Sequence, residues 1–431
     1  MTTSTVDVRD LFTGTGAFGP TEIGALVRTL GSEPAIHRDL RAAVKELEGH
    51  GDRSPAASVR LGVGQYLLGR WNDALQTLKG ADGGALAQML PAFRADPYPF
   101  YHRLREAAPV FKTPQGFWLL SRYDDVALAL RDRRFGKDFA GNIERRYGPG
   151  RMSEPAIANL ALTMLVLDPP DHTRLRSLVT KAFTARRVAD MRPRIAALVN
   201  QQLDRVADKG GMDVVMDLAH RLPVIVICDM LGIPEEHRGP FLSASQVNGR
   251  ILDPVPMTRE EMDRANAATA MGNAYFDQLC ELRRRDPKDD LTTELVKAEE
   301  AGDRLSGEEL RANIGLLFGA GHETTTNLIG NGLLALHRHP DQWERLKADP
   351  SLIPNAIEEL LRFDSSVQMS GRVTLADVEL GSVTIPANES VVTLLGAANR
   401  DPAQYPDPDR LDVGRVNIRP MSFGGGIHHC L

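Results

Sequence analysis

Apolar residues recur three or four apart along most of the chain, the spacing of one helical face, and only short stretches alternate. Helices are expected over about 33–47, closed by Gly49, and over 98–107, closed before Pro109. Others are expected at 124–130, 171–183, 187–207, 222–231, 262–285 and 306–337, with a further candidate from Pro20-Thr21-Glu22 through Leu26, Val27 and Leu30. Residues 110–112 and 116–121 suit two short strands joined by Pro114-Gln115-Gly116. Remaining strands are expected between 373 and 394, and a Gly- and Arg-rich loop over about 136–150. The fold class is mainly α with small β sheets, not alternating α/β.

Several positions break this pattern in chemically useful ways. Ser306, with Glu309 three residues on, forms a capping box that starts the longest helix. Further along, Ala320-Gly321-His322-Glu323-Thr324-Thr325-Thr326 places a glycine and three threonines inside it, all poor helix formers. Threonine hydroxyls that bond carbonyls one turn back loosen a helix and open a groove. An acid beside an alcohol, Glu323-Thr324, suits proton delivery. The bland alternative is a Thr-rich turn of a surface helix. His172 and Arg176 are four apart on one helical face and make a ledge for carboxylates, whereas Arg174 falls off that face and is expected to meet solvent or a partner. Glu359 and Arg362 lie one turn apart, as in many exposed helices.

Composition narrows the class. Lys and Arg number 51 against 57 Asp and Glu, a formal charge of −6, which weighs against a nucleic-acid partner. Three cysteines, Cys228, Cys280 and Cys430, make no disulfide scaffold and fit a reducing cytoplasm. The first residues lack a basic stretch followed by an apolar core, and no apolar run reaches the roughly 18 residues of a membrane span, so a cytoplasmic protein without an integral membrane segment is expected.

Cys430 closes the run Phe423-Gly424-Gly425-Gly426-Ile427-His428-His429-Cys430. Glycines there permit positive φ and close approach to a flat macrocycle, and a thiolate can ligate haem iron. A free cysteine in a glycine-rich turn is the alternative. The run resembles the cysteine-ligand loop of the cytochrome P-450 monooxygenases, Phe-Gly-x-Gly-x-His-x-Cys, matching at Phe423, Gly424, Gly426, His428 and Cys430. Ala320-Gly321 with Glu323-Thr324-Thr325 resembles that family's oxygen-activating motif, and 167–176 its propionate-binding helix. Resemblance starts near Phe93 and is of the soluble bacterial type, so the expected division is a helical extension, 1–85, and a haem-thiolate monooxygenase domain, 86–431.

The resemblance implies a cytochrome P-450 fold and iron protoporphyrin IX (haem b) ligated by Cys430. It implies carboxylate contacts from His172, Arg176, Arg372 and His428, with Phe423 and Ala320 against the macrocycle. Glu323 and Thr324 would serve proton delivery, Thr325 a structural role, and His322 a helix-face or relay-adjacent one. Glu359, Arg362 and Arg415 would form a buried structural group, with Glu358 exposed. Implied too are O2 as cosubstrate and electrons ultimately from NAD(P)H through a ferredoxin reductase and a ferredoxin. A hydrophobic small-molecule substrate is expected over the distal face, near Leu317, Val367 and Gln368, positions that equally suit an ordinary core. The family continues past the cysteine, so an incomplete C-terminus with weakened haem retention is expected. Within the extension, Leu61–Leu75 resembles part of a tetratricopeptide repeat, its small residues letting helices cross closely, and Trp71 suggests a protein partner. A plain helical hairpin is the alternative. Two other functions remain open: a haem-thiolate enzyme driven by hydrogen peroxide, and a haem-containing scaffold acting through residues 1–85.

Overall fold

The structure, a computed structural model, describes residues 8–13, 34–51, 54–68, 70, 73–74, 77 and 96–431, apart from 114–115, 240–248, 254–255 and 301–304. The chain divides into two units, Met1–Pro109 and Val110–Leu431, so the break falls after the helix Tyr98–Ala107.

In the first unit, helix Pro34–Gly49 turns Leu40, Ala43 and Val44 inward and Arg38, Asp39, Arg41 and Lys45 outward. It packs with Val8–Thr13 and Pro55–Leu67. A Cβ on Gly64 would collide with Val44 and come within 3.0 Å of the Phe12 ring, so the close crossing needs that glycine. The 20–30 candidate, Trp71 and the Pro114-Gln115 turn lie outside the described residues.

The second unit is mainly helical around one small sheet. Strands β1 (Val110–Lys112), β2 (Trp118–Leu120), β3 (Phe135–Gly136) and β4 (Ser370–Thr374) join β7 (Ser390–Thr393) in the order β1-β2-β7-β4-β3. The β2–β7 pair is parallel and the rest antiparallel; β5 (Val378–Leu380) and β6 (Val383–Ile385) form a separate hairpin. Alternate residues of the sheet, Leu120, Phe135 and Val391 among them, pack with Val126, Leu130 and Leu395.

The helix Gly307–Arg338 crosses this unit unbroken, with both halves of its capping box formed. Its buried face meets Val224, Ile227 and Leu231 of Arg221–Leu231 and Phe276 of Arg259–Arg285. The threonines do not interrupt it: Thr324 Oγ1 donates to Ala320 O at 2.8 Å and Thr326 Oγ1 to His322 O at 3.1 Å.

Three local expectations need correction. The 136–150 loop contains a helix, Phe139–Tyr147, capped by Asp138. Phe139, Ile143 and Tyr147 are four apart and pack on Ile157, Ile251 and Met262, a periodicity that the surrounding Gly and Arg obscure. The 187–207 helix is two, Ala185–Asp190 and Arg192–Ala207, with Pro193 in the second one's first turn. Arg174 is not a solvent residue: its Nη2 reaches Glu309 Oε1 at 2.6 Å, tying helix Asp171–Ala182 to the start of the long helix.

Helix Ile353–Phe363 carries Glu359 and Arg362, both fully buried, while Glu358 is exposed. Arg362 donates from Nε and Nη2 to the two Glu359 oxygens at 2.7 and 2.8 Å, and Arg415 Nε donates to Oε1 at 3.1 Å. Arg362 also reaches the carbonyls of Asn399, Pro408 and Arg410. Breaking a buried pair strands the remaining charge. Glu359→Gln is therefore expected to cost about 3–5 kcal/mol of unfolding free energy, measured by urea denaturation. A loss under about 1 kcal/mol would place the group among weak surface pairs.

Candidate active site

The Cys430 loop comprises two short turns, Met421–Phe423 and Gly426–His428. Gly424 and Gly426 have φ of 69° and 65°, a region costly for other residues. A Cβ on Gly426 would collide with the Leu130 carbonyl, so the loop lies directly on the end of helix Tyr123–Arg131. Cys430 N donates to Phe423 O at 3.0 Å. Upstream, Asn399 accepts from Met421 N at 2.7 Å and donates to Ser422 Oγ at 3.0 Å, and Ser422 donates to Leu361 O at 2.7 Å. These bonds link the loop to the Glu359–Arg362 helix. Cys430 and Phe423 are exposed. Cys228 and Cys280 are buried in the helical core, and that burial pushes their thiols up to about 11 and about 12.

Beside the loop lies a concentration of nitrogen donors. The His172 and His428 rings sit 4.4 Å apart between centroids, and Arg176 Nη2 donates to Cys430 O at 3.4 Å. Arg372, from β4, is buried and donates to Ser370 Oγ and Gly371 O at 2.9 and 2.8 Å. Lys137, just past β3, donates from Nζ to the same Gly371 O at 3.1 Å. Both ring nitrogens of His172, and Nε2 of His428, are buried without a hydrogen-bond partner among the described residues.

The electrostatics follow from this crowding. Burial, then Lys137, Arg372, His172 and Arg176, push His428 down to about 2. Burial and then Arg176 lower His172, with Asp168 opposing. Burial brings Arg372 down to about 10, and burial with Arg372 holds Lys137 well below its ordinary value. Asp168 is the opposing carboxylate, yet its oxygens accept the backbone N–H groups of Lys137 and Asp138. Among the described residues, Lys137, Arg176 and Arg372 have no carboxylate within the 4.0 Å of an ion pair.

On the long helix, Ala320 and Glu323 are exposed and Thr324 is half-buried. Partial burial, then Asp253, raises the Glu323 carboxyl. A Cβ on Gly249 would come within 3.3 Å of Glu323 Oε2, so the Gly249–Leu252 turn lies against that carboxylate. His322 points elsewhere: it is buried, with Nε2 3.2 Å from His220 Nδ1.

The substrate candidates are not brought together as one lining. Leu317 packs in the helical core with Val224 and Phe318, and Val367 against the sheet core. Gln368 Nε2 donates to Ser365 O at 2.7 Å, with Oε1 directed at Gly396.

Orphaned imidazole nitrogens and uncompensated cations beside an exposed cysteine fit the chemistry of a haem-thiolate protein, whose cofactor brings two carboxylates and an iron that accepts a thiolate. Comparison with known proteins makes the assignment specific. The family model described as Cytochrome P450 matches residues 109–431. The putative cytochrome P450 133B2 of Xylella fastidiosa is 41% identical over 341 residues, covering 79% of this chain and 85% of that protein. The vitamin D(3) 25-hydroxylase of Pseudonocardia autotrophica is 44% identical over 344 residues, covering 79% and 82%. The crystal structure of P450BioI in complex with an acyl carrier protein carrying hexadec-9Z-enoic acid superposes with a TM-score of 0.73 at 36% identity, covering 79% and 87%. The chain belongs to the cytochrome P450 family. It is a haem-thiolate monooxygenase with the family's mainly helical fold. No helix among the described residues is long and apolar enough to cross a membrane.

Sequence reasoning missed Lys137, Asp168, Asn399 and Ser422. The first two flank strand β3, whose pairing is visible only in the fold. Asn399 and Ser422 are ordinary polar residues whose bonds span 22 or more positions.

The loop geometry yields a direct test. Gly426→Ala puts a methyl group into the Leu130 carbonyl at positive φ and should lift the loop off its helix. Bound haem per chain, read from the pyridine haemochrome, is expected to fall with a loss of more than about 1 kcal/mol in stability. Full haem content with unchanged stability would show that the close approach is dispensable.

Proposed function

We propose that this monooxygenase inserts one oxygen atom of O2 into a hydrophobic organic substrate, using haem b ligated by Cys430. Electrons pass from NAD(P)H through a ferredoxin reductase and a ferredoxin. The carrying observation is the uncompensated basic cluster beside Cys430: His172, Arg176, Arg372 and His428 present N–H donors where two carboxylates are required. When bound, the haem supplies dioxygen activation, with thiolate electron density favouring O–O cleavage.

The chain's own residues provide position and protons. Cys430 is presented by the glycine turns, and Phe423 and Ala320 are exposed for contact with the macrocycle. Thr324 Oγ1 donates to Ala320 O, which leaves its lone pairs free to accept a hydrogen bond from a bound ligand or water. Partial burial and Asp253 raise the Glu323 carboxyl, which favours its proton-carrying form relative to an ordinary glutamate and suits it to a proton relay. This acid–alcohol pair favours O2 over hydrogen peroxide as oxidant. Val367, which is half-buried, keeps apolar surface that a substrate could meet, whereas Leu317 is committed to the core and Gln368 to its own turn. Relatives named for vitamin D(3) and bound to a fatty acyl group support a hydrophobic substrate.

Thr324→Ala separates these roles. The variant should keep its haem and the red-shifted Soret band of the reduced carbon monoxide complex. Product formed per NAD(P)H consumed, in a reconstituted ferredoxin system, is expected to fall by roughly tenfold or more, with hydrogen peroxide released instead. Unchanged coupling would remove Thr324 from proton delivery.

A further inference from the structure

Strand pairing brings an additional cation into the basic cluster. The β3–β4 register matches Phe135 with Thr374 and Gly136 with Val373, so the next position sets Lys137 opposite Arg372. Directly opposed residues of an antiparallel pair share a face, and like charges there are destabilising. The two cations in fact converge on one acceptor, since Lys137 Nζ and Arg372 Nη1 both donate to Gly371 O, at 3.1 and 2.8 Å. The Lys137 backbone is pinned by Asp168, whose oxygens lie 3.0 and 2.9 Å from its N. That carboxylate is thereby occupied with main-chain donors and forms no ion pair with either cation among the described residues. An ammonium has three donors, and Lys137 uses one of them on protein.

Two cations held against one carbonyl repel one another, and an anion bound beside both would relieve that repulsion. We propose that Lys137 is a fifth donor to the carboxylates of the bound haem, acting with Arg372 from the opposite strand. The inference rests on reading the cluster as the haem site. It gives Lys137 a binding role, not a role in oxygen chemistry.

The test uses the full-length ferric holoprotein and two variants, Lys137→Met and Lys137→Arg. Haem transfer to excess apomyoglobin is followed optically, with protohaem and with its dimethyl ester, and thermal unfolding is compared with and without haem. With protohaem, Lys137→Met should release haem roughly tenfold or more faster than the parent, the scale of one lost charge-assisted bond, and Lys137→Arg should largely restore retention. With the dimethyl ester the parent and Lys137→Met should release at similar rates. The haem-free Lys137→Met protein should unfold no lower than the haem-free parent, because the substitution removes a like-charge contact.

Parental release of protohaem by Lys137→Met would overturn the inference. So would faster release that persists with the ester, or a variant destabilised equally with and without haem, which would mark a structural lysine. The parent's reduced carbon monoxide spectrum separates the two levels. Without a thiolate-type band, both the haem-thiolate reading and this inference fail; with it, the haem-release result judges Lys137 alone.

Discussion

The buried contact between Glu359 and Arg362 is the constraint on which the site depends. Removing two opposite charges from water is expensive, and it is tolerated when every donor and acceptor is satisfied. Here the carboxylate also receives Arg415 Nε and Asp412 N, and the Arg362 guanidinium serves three carbonyls. Those partners are spread over 399–415, a stretch with little regular structure. The pair therefore organises backbone that neither a helix nor a sheet would hold. Asn399, whose carbonyl takes one of these bonds, uses its side chain to hold Met421 and Ser422. A rigid path thus runs from a buried ion pair to the turn that presents Cys430.

The cofactor site obeys the opposite rule. Around Glu359 the charges compensate one another within the protein. Around His172 and His428 they do not: lysine, two arginines and two imidazoles crowd together, and the Asp168 carboxylate is engaged by main-chain amides. The first arrangement is complete by itself and holds the fold. The second leaves nitrogen donors without partners among the described residues, as a site for an anionic group would. A similar division runs along the long helix, where His322 is buried against His220 while the next two residues, Glu323 and Thr324, are less buried.

Legibility in the sequence followed locality. The Cys430 run, the Glu323-Thr324 pair, the His172–Arg176 spacing and the Glu359–Arg362 turn are contiguous patterns, and each appears in the fold on the element expected. Arg415 needed the family resemblance, because nothing local ties it to Glu359. Lys137 escaped because its meaning comes from strand register, and Asn399 and Ser422 because their bonds are long-range. The Phe139–Tyr147 helix was hidden by its composition, since three apolar positions were outweighed by nearby glycines and arginines. Gln368, expected near the substrate or in an ordinary core, bonds its amide nitrogen to the Ser365 carbonyl of its own turn, a bond that spacing alone does not reveal.

The central claim is that Cys430, presented by this braced loop, ligates the iron of a haem held by the basic cluster. Iron K-edge X-ray absorption on the ferric holoprotein tests it directly. One sulfur scatterer in the first shell beside the porphyrin nitrogens, lost in a Cys430→Ser variant that still binds haem, is the predicted result. A first shell of nitrogen and oxygen alone, or a sulfur scatterer that survives Cys430→Ser, would contradict it.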